Sequence, residues 1–315
     1  MTTTTTPKKP PIDLTPVVDW LGRGLRRLRK PADAAAHESA SSAIATWMLL
    51  TLAGLTFWIF AFGGVISALA EHHDQHGLYA TFRRQLAEGV APLGGAMKEG
   101  APVALLEAPA GGLDRMVVVE GSSARDLRSG PGHKPGTPLP GQPGAVLILG
   151  RSVSYGGPFR HIARLRPGDE ITATTGEGTY TYVVEDVRGP GDYLPQPLAA
   201  GGSQLTLVTS AASSWRSGWA PSHAIYVDAV LKGKAAPLAA TAASARPSDA
   251  VMANDTSGLY EVVLWLQLLL VVTILILLGR RRWGVWQIWL VGIPVLLAAL
   301  WGVTNSAWPL LPNLV

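Results

Sequence analysis

Residues 129–171 read SGPGHKPGTPLPGQPGAVLILGRSVSYGGPFRHIARLRPGDEI. Within them the apolar run GAVLILG, at 144–150, lies between Gly- and Pro-rich turns, which is the pattern of a short β-strand between loops. Further along, TYTYVV at 179–184 alternates polar and apolar side chains, and LTLVTS at 205–210 passes from apolar to hydroxyl residues. About seven such stretches between residues 100 and 232, with little helical pattern, predict a small all-β barrel or sandwich.

The composition indicates that part of the chain lies in lipid. Hydrophobic residues make up 48% of the 315 residues and charged residues only 15%, which is low for a soluble protein. The chain has no cysteine, which excludes disulfides, zinc–thiolate sites and thiol catalysis. The net charge of +4 comes from short basic flanks, since residues 71–261 carry sixteen basic and eighteen acidic side chains. The charge therefore gives no support to nucleic-acid binding.

Three apolar segments predict three transmembrane helices, at 39–70, 259–279 and 285–308. Each is long enough to cross a hydrocarbon core of about 30 Å, which takes roughly 20 helical residues. Basic residues precede the first segment at 23–30, and Arg280–Arg282 separate the second from the third. Because basic loops stay on the cytoplasmic side, we expect the N-terminus inside the cell and the β-domain outside it.

These features together predict the order of segments along the chain. It consists of a basic, largely disordered cytoplasmic tail (1–38), the first membrane helix (39–70), a juxtamembrane stalk (71–99), the extracellular β-domain (100–232), an Ala/Ser/Pro-rich linker (233–258), the second helix (259–279), a cytoplasmic basic turn (280–284), the third helix (285–308) and a short outer tail (309–315).

The order of motifs in the β-domain resembles the sortase family, above all the actinobacterial class E sortases. The matching blocks are GPGH, PGQPG, a strand ending at Gly150, YGGPF and LRPGD, followed by LTLVTS and HAIYVDAVL. The resemblance covers about residues 100–232 and implies a β-barrel. It also implies transpeptidation outside the cell, in which a Cys thiolate cleaves a sorting motif and the acyl group passes to an amine. The partners implied are secreted or surface proteins, their peptides and cell-wall components.

The catalytic residues that the resemblance would supply are absent. Arg151 stands where the family has its acid/base His, Ser210 stands where it has its Cys, and His223 lies close to the position of the oxyanion-stabilising Arg. We therefore interpret the chain as a degenerate member that binds a surface protein, a cell-wall component or an active sortase without catalysis. The neighbouring residues His133, Tyr155 and Thr209 are the candidates for substrate binding.

An enzyme that uses Ser210 is the alternative hypothesis. A serine hydroxyl has no accessible anion and needs a general base within hydrogen-bond reach, and the guanidinium of Arg151 does not deprotonate. His223 or His133 would have to supply that base in a serine-dependent transpeptidase or peptidase. The competing interpretation is that Ser210 is a structural residue at the end of a strand and takes no part in catalysis.

Two further features leave alternatives open. Arg151 and Ser210 together could bind a carboxylate or the end of a peptide, or Arg151 could pair with Asp228 or Asp186. The run EHHDQH at 71–76 places His72 and His76 one helical turn apart, but a polar collar beside the membrane is the favoured interpretation over a metal site. No metal and no cofactor are predicted.

Overall fold

The computed structural model describes residues 40–195, 197–211, 221, 223–237, 245–279 and 285–315, and the predicted cytoplasmic tail and basic turn lie outside these ranges. The chain divides into two compact units, 1–58 and 59–315. The described part of the first unit is helical. The helices are α1 (Ala40–Ala61), α2 (Ser67–Glu88), α3 (Leu259–Gly279) and α4 (Val285–Ala307), with a π-helical turn at Phe62–Ile66 between the first two.

Within the described residues, three helices are long and apolar enough to span a membrane. They cover Leu52–Glu88, Leu259–Ile276 and Leu290–Leu310. Many of their large apolar side chains are exposed, as expected for helices whose solvent is lipid. Helix α2 ends where Gly89 adopts the left-handed conformation (φ 68°) and its N–H bonds back to the last turn.

The β-domain is a closed eight-stranded barrel, as the sequence pattern predicted. Its strands follow one another around the barrel in the order β1-β2-β3-β4-β7-β8-β6-β5. β4 and β7 are parallel neighbours, with Leu149 opposite Val208, so both strands end at the same edge. The strands are β1 (Pro102–Ala108), β2 (Leu113–Glu120), β3 (Gly132–His133), β4 (Gly144–Leu149), β5 (Glu170–Thr175), β6 (Gly178–Arg188), β7 (Ser203–Ser210) and β8 (Ala224–Leu231).

Alternate side chains of the strands fill the barrel interior. In β7, for example, Leu205 and Leu207 belong to the main core, whereas Val208 belongs to a second cluster on the other face. This is the two-residue period of a strand that is buried on both faces. The second cluster consists of Leu127, Leu149, Val208, Ala224 and Leu314.

The outer face of β4, β7 and β8 is covered by the segments that flank the α3–α4 helical pair. Asp249 is fully buried, and its main-chain oxygen accepts a hydrogen bond from the Ser122 hydroxyl at 3.0 Å. The N–H of Asp255 donates to Pro309 O at 3.0 Å, and that of Asn313 donates to Ala253 O at 3.0 Å. The second half of the predicted linker is thus packed against the barrel.

Candidate functional site

Ser210 is the last residue of β7 and lies opposite Ala224 of β8. Its side chain is only 2% exposed. Among the described residues its hydroxyl has two hydrogen-bond partners, Ser152 Oγ at 2.5 Å and Leu314 O at 2.9 Å. Ser152 Oγ also lies within donor range of Leu314 O at 3.3 Å, so either hydroxyl can be the donor between Ser152 and Ser210. Neither partner can act as a general base.

Arg151 follows Gly150 at the end of β4. Because β4 and β7 are parallel neighbours, this strand end lies beside the one that carries Ser210. Gly150 is required here, since a Cβ at that position would lie 2.4 Å from the ring of Phe159. The Arg151 side chain is completely buried, with its guanidinium 4.9 Å from the centre of the Tyr155 ring. Burial lowers the pKa of Arg151 to about 10, so the group remains a cation at neutral pH.

The guanidinium donates to four oxygens of the main chain and of one hydroxyl group among the described residues. Nε donates to Leu127 O at 3.1 Å and Nη2 to Ala124 O at 2.6 Å, while Nη1 donates to Val315 O at 2.7 Å and to Ser154 Oγ at 3.1 Å. The alternative of a pair with Asp228 is wrong. That carboxylate instead accepts from Arg188 and, at 2.7 Å, from Thr206.

Residues 311–315, which we call the tail segment, fill the space between Arg151 and Ser210. Leu314 O accepts from the N–H of Ser152 at 3.0 Å in addition to the Ser210 hydroxyl. Val315 O accepts from Arg151 and from the Ser154 hydroxyl. Two consecutive main-chain oxygens are therefore held by the ends of two strands. We call this space, formed by Arg151, Ser152, Ser154 and Ser210 with the second apolar cluster, the cleft.

The two histidines considered as bases differ in their relation to Ser210: His133 is bonded near β3, and His223 lies next to the Ser210–Ala224 pair. His133 is buried, its Nδ1 is 2.7 Å from Glu120 Oε2, and its Nε2 is 3.0 Å from Pro138 O. Both ring nitrogens are thus occupied within the β2–β3 region. His223 precedes β8, its side chain is exposed, and its main-chain oxygen accepts from Ala211 N at 3.0 Å.

The two remaining candidates surround the cleft without contacting the tail oxygens. Tyr155 is 3% exposed and adopts a positive φ of 48°, and its N–H donates to Ser67 Oγ of helix α2 at 3.0 Å. Its ring lies edge-on to Trp308 at 6.4 Å. Thr209 donates to Gly150 O at 3.0 Å and thereby joins the ends of β4 and β7. Both residues fix the frame of the cleft.

The sequence analysis missed the cleft residues Ser152 and Ser154 and the tail segment itself. Hydroxyl residues are common in loops, so the two serines carry no signal on their own. The tail does carry a sequence signal, because residues 310–315 continue an apolar run past the last membrane helix. Exposure of apolar side chains to water is unfavourable. That signal indicates burial but does not identify the partner.

The two histidines of the run at 71–76 lie close together on helix α2. The Nε2 atoms of His72 and His76 lie 3.0 Å apart on helix α2. No group of three or more His, Cys, Asp or Glu side chains in the described part of the chain could hold a metal ion. The collar interpretation is consistent with this geometry.

Comparisons with known proteins agree with the motifs. A family model described as the Sortase domain matches residues 106–225. A mutant of sortase E from Streptomyces avermitilis is 32% identical over 44% of this chain and 91% of its own, with a TM-score of 0.35. The Sortase D5 transpeptidase of Clostridium perfringens is 24% identical over 51% of this chain and 99% of its own, with a TM-score of 0.41. A search of curated proteins gives no match.

Proposed function

Because this chain belongs to the sortase family, we propose that it is a membrane-anchored, extracytoplasmic member that binds a partner and does not carry out transpeptidation. One observation carries the proposal. The hydroxyl at the nucleophile position is bonded to another serine and to a main-chain carbonyl, and the neighbouring strand end supplies a buried cation. A hydroxyl needs a proton acceptor to attack a peptide bond, and none of its described partners is one.

The chemistry that this site supports is recognition of a peptide main chain. Arg151 offers a planar set of donors, which suits carbonyl and carboxylate oxygens, and two serine hydroxyls and one N–H add further donors. A transpeptidase also needs an acid for the leaving amine. Arg151 cannot release a proton at a physiological pH, so it supplies positive charge and hydrogen bonds only.

The proposed place of action is the outer side of the cell membrane. Sortase-family domains work on surface proteins and cell-wall components, and we propose a partner of that kind here. The N-terminal tail and the 280–284 turn are basic and belong in the cytoplasm. The segment before α3 and the segment after α4 both form hydrogen bonds with Ser122, beside β2. These bonds support two membrane crossings by the α3–α4 pair and an outer location for residues 309–315. The Gly-, Ala- and Pro-rich composition suits an actinobacterial cell envelope.

An electrophilic peptide probe tests the proposal directly. The full chain in membranes is incubated with peptides that carry a serine-reactive group, and the protein is examined by mass spectrometry. We expect no adduct on Ser210, and no ligation of a surface-protein peptide to an amine acceptor. The Ser210→Ala variant, which lacks the hydroxyl, is the matched control.

The serine-enzyme alternative makes the opposite prediction. An adduct that maps to Ser210 and disappears in Ser210→Ala would overturn the proposal. Ligation or cleavage lost in the same variant would have the same meaning. A reaction that persists in Ser210→Ala belongs to another protein in the preparation and leaves Ser210 unreactive, as proposed.

A further inference from the structure

We propose that the tail segment, residues 311–315, is an intramolecular peptide ligand of the cleft, and that a partner peptide of the same chemistry binds when the tail leaves. The inference rests on the proposed function in one respect: it takes the cleft as a place where peptides are bound and not cleaved. It adds the class of ligand and the way in which access to the cleft is controlled.

The main chain of the tail closes a turn, since Val315 N donates to Pro312 O at 3.0 Å, and two of its oxygens accept hydrogen bonds from the cleft. Leu314 O has donors from both strand ends, the N–H of Ser152 and the hydroxyl of Ser210. Val315 O accepts from Arg151 at 2.7 Å and from the Ser154 hydroxyl. Main-chain oxygens are common to all peptides, so these donors are not specific to the tail and can serve a competing peptide equally.

The side chains of the tail define the class of ligand. Leu314 is fully buried in the second apolar cluster, against Leu149 and Val208 at the ends of β4 and β7. Asn313 is also fully buried, and its Nδ2 donates to Ser122 O at 2.9 Å and to Ala250 O at 3.0 Å. The cleft therefore selects a peptide that forms a turn and in which an asparagine precedes an apolar residue of the size of leucine.

A purely structural role for the tail is the competing explanation. The tail also links α4 to the barrel, since Asn313 N donates to Ala253 O and Pro309 O accepts from Asp255 N. A structural brace would cover Ser210 just as a ligand does. The two roles differ in the effect of removing the tail: a ligand site can be filled again by a peptide added from outside, whereas the site of a brace cannot.

The absence of cysteine makes the test clean, because Ser210→Cys introduces the only thiol in the chain. The full-length variant in lipid nanodiscs is treated with a bulky maleimide, and the same variant is prepared without residues 311–315. We expect the thiol to react at least about tenfold faster when the tail is absent, since local opening is then no longer needed. A thiol at the 96% exposed position, Tyr193→Cys, should react equally fast in both chains.

A synthetic peptide with the sequence LPNLV then tests the ligand role. Added to the shortened Ser210→Cys chain, it should slow the reaction back towards the full-length rate. The same peptide with Asp in place of its fourth residue, the counterpart of Leu314, should have no effect because the apolar cluster excludes a carboxylate. If the shortened chain does not fold, the full-length Leu314→Asp variant takes its place.

Two results would overturn the inference. Equal labelling rates with and without the tail would mean that the tail does not close the cleft. Fast labelling that the peptide cannot slow would mean that the tail is a brace only. Either result leaves the proposed function standing, since that depends on whether Ser210 forms a covalent adduct. An adduct on Ser210 would end the proposed function and leave the occupancy result valid.

Discussion

At the scale of single residues, Arg151 is the basis of the proposal that this site does not carry out transpeptidation. The side chain carries a charge into the interior, and four oxygens of the main chain and of one hydroxyl group replace its hydration. Burial of a cation is tolerated only when its donors are satisfied in this way. An imidazole at position 151 could not donate hydrogen bonds to all four of these oxygens. Arginine at this position therefore has a different role from histidine.

Replacing Arg151 should therefore destabilise the barrel. In Arg151→Met the oxygens of Ala124 and Leu127 lose the side-chain donor, and Val315 O keeps only the Ser154 hydroxyl. We expect the free energy of unfolding to fall by about 3 kcal/mol or more. Arg151→Lys keeps the charge but lacks the planar fork and should recover only part of the loss.

Chemical unfolding of the full chain in detergent measures the effect of Arg151. The exposed neighbour Arg164 provides the control, because Arg164→Gln should change stability by no more than about 0.5 kcal/mol. Equal stabilities for Arg151→Met and this control would contradict the structural account of the buried guanidinium.

At the scale of elements, the carboxamide of Gln75 joins helix α2 to the β-domain with three hydrogen bonds. Gln75 Nε2 donates to Val117 O at 3.0 Å and to Ser129 O at 2.6 Å, and Gln75 Oε1 accepts from Val117 N at 2.8 Å. A carboxamide is the only neutral side chain that offers a donor and an acceptor in this arrangement. The helix that leaves the membrane is thereby bonded to strand β2.

The Gln75 contact can be tested with an isosteric change. Gln75→Glu places a carboxylate against two carbonyl oxygens and removes both donors, so we expect a loss of about 2 kcal/mol in the stability of the barrel. His73→Ala, on the exposed face of the same helix, should have little effect. Thermal unfolding followed by circular dichroism compares the two variants, and equal midpoints would exclude a role for Gln75 in docking.

The elements themselves could be predicted from the sequence, and the contacts between distant elements could not. The apolar run at 144–149 and the alternation at 179–184 depend on local periodicity, which a sequence displays directly. The bond between Ser210 and Leu314 joins residues 104 positions apart. Such a pairing depends on how the helical pair packs against the barrel, and no local pattern encodes it. For the same reason the GPGH motif predicts a role for His133 but does not reveal its buried partner, Glu120.

At the scale of the whole molecule, the predicted topology divides the chain between two sides of the membrane. The charge pattern places residues 1–38 and 280–284 in the cytoplasm, and the barrel outside. Single cysteines in this cysteine-free chain can test the division in intact cells that express it. We expect a membrane-impermeant maleimide to label Tyr193→Cys at once, and Thr5→Cys and Arg281→Cys only after permeabilisation. Labelling of Arg281→Cys in intact cells would refute the two crossings of the helical pair.

The continuity of helix α4 with the tail has a mechanical consequence. α4 ends at Ala307, one short turn connects it to the tail at Trp308–Leu310, and the next five residues occupy the cleft. A bilayer that thickens or thins favours a different depth or tilt of an apolar helix, at a modest free-energy cost per ångström. Displacement of α4 along the membrane normal would pull on the bonds at Leu314 and Val315. Bilayer thickness would then change the affinity of the cleft for a peptide, and a bound peptide would in turn change the preferred depth of α4 in the bilayer.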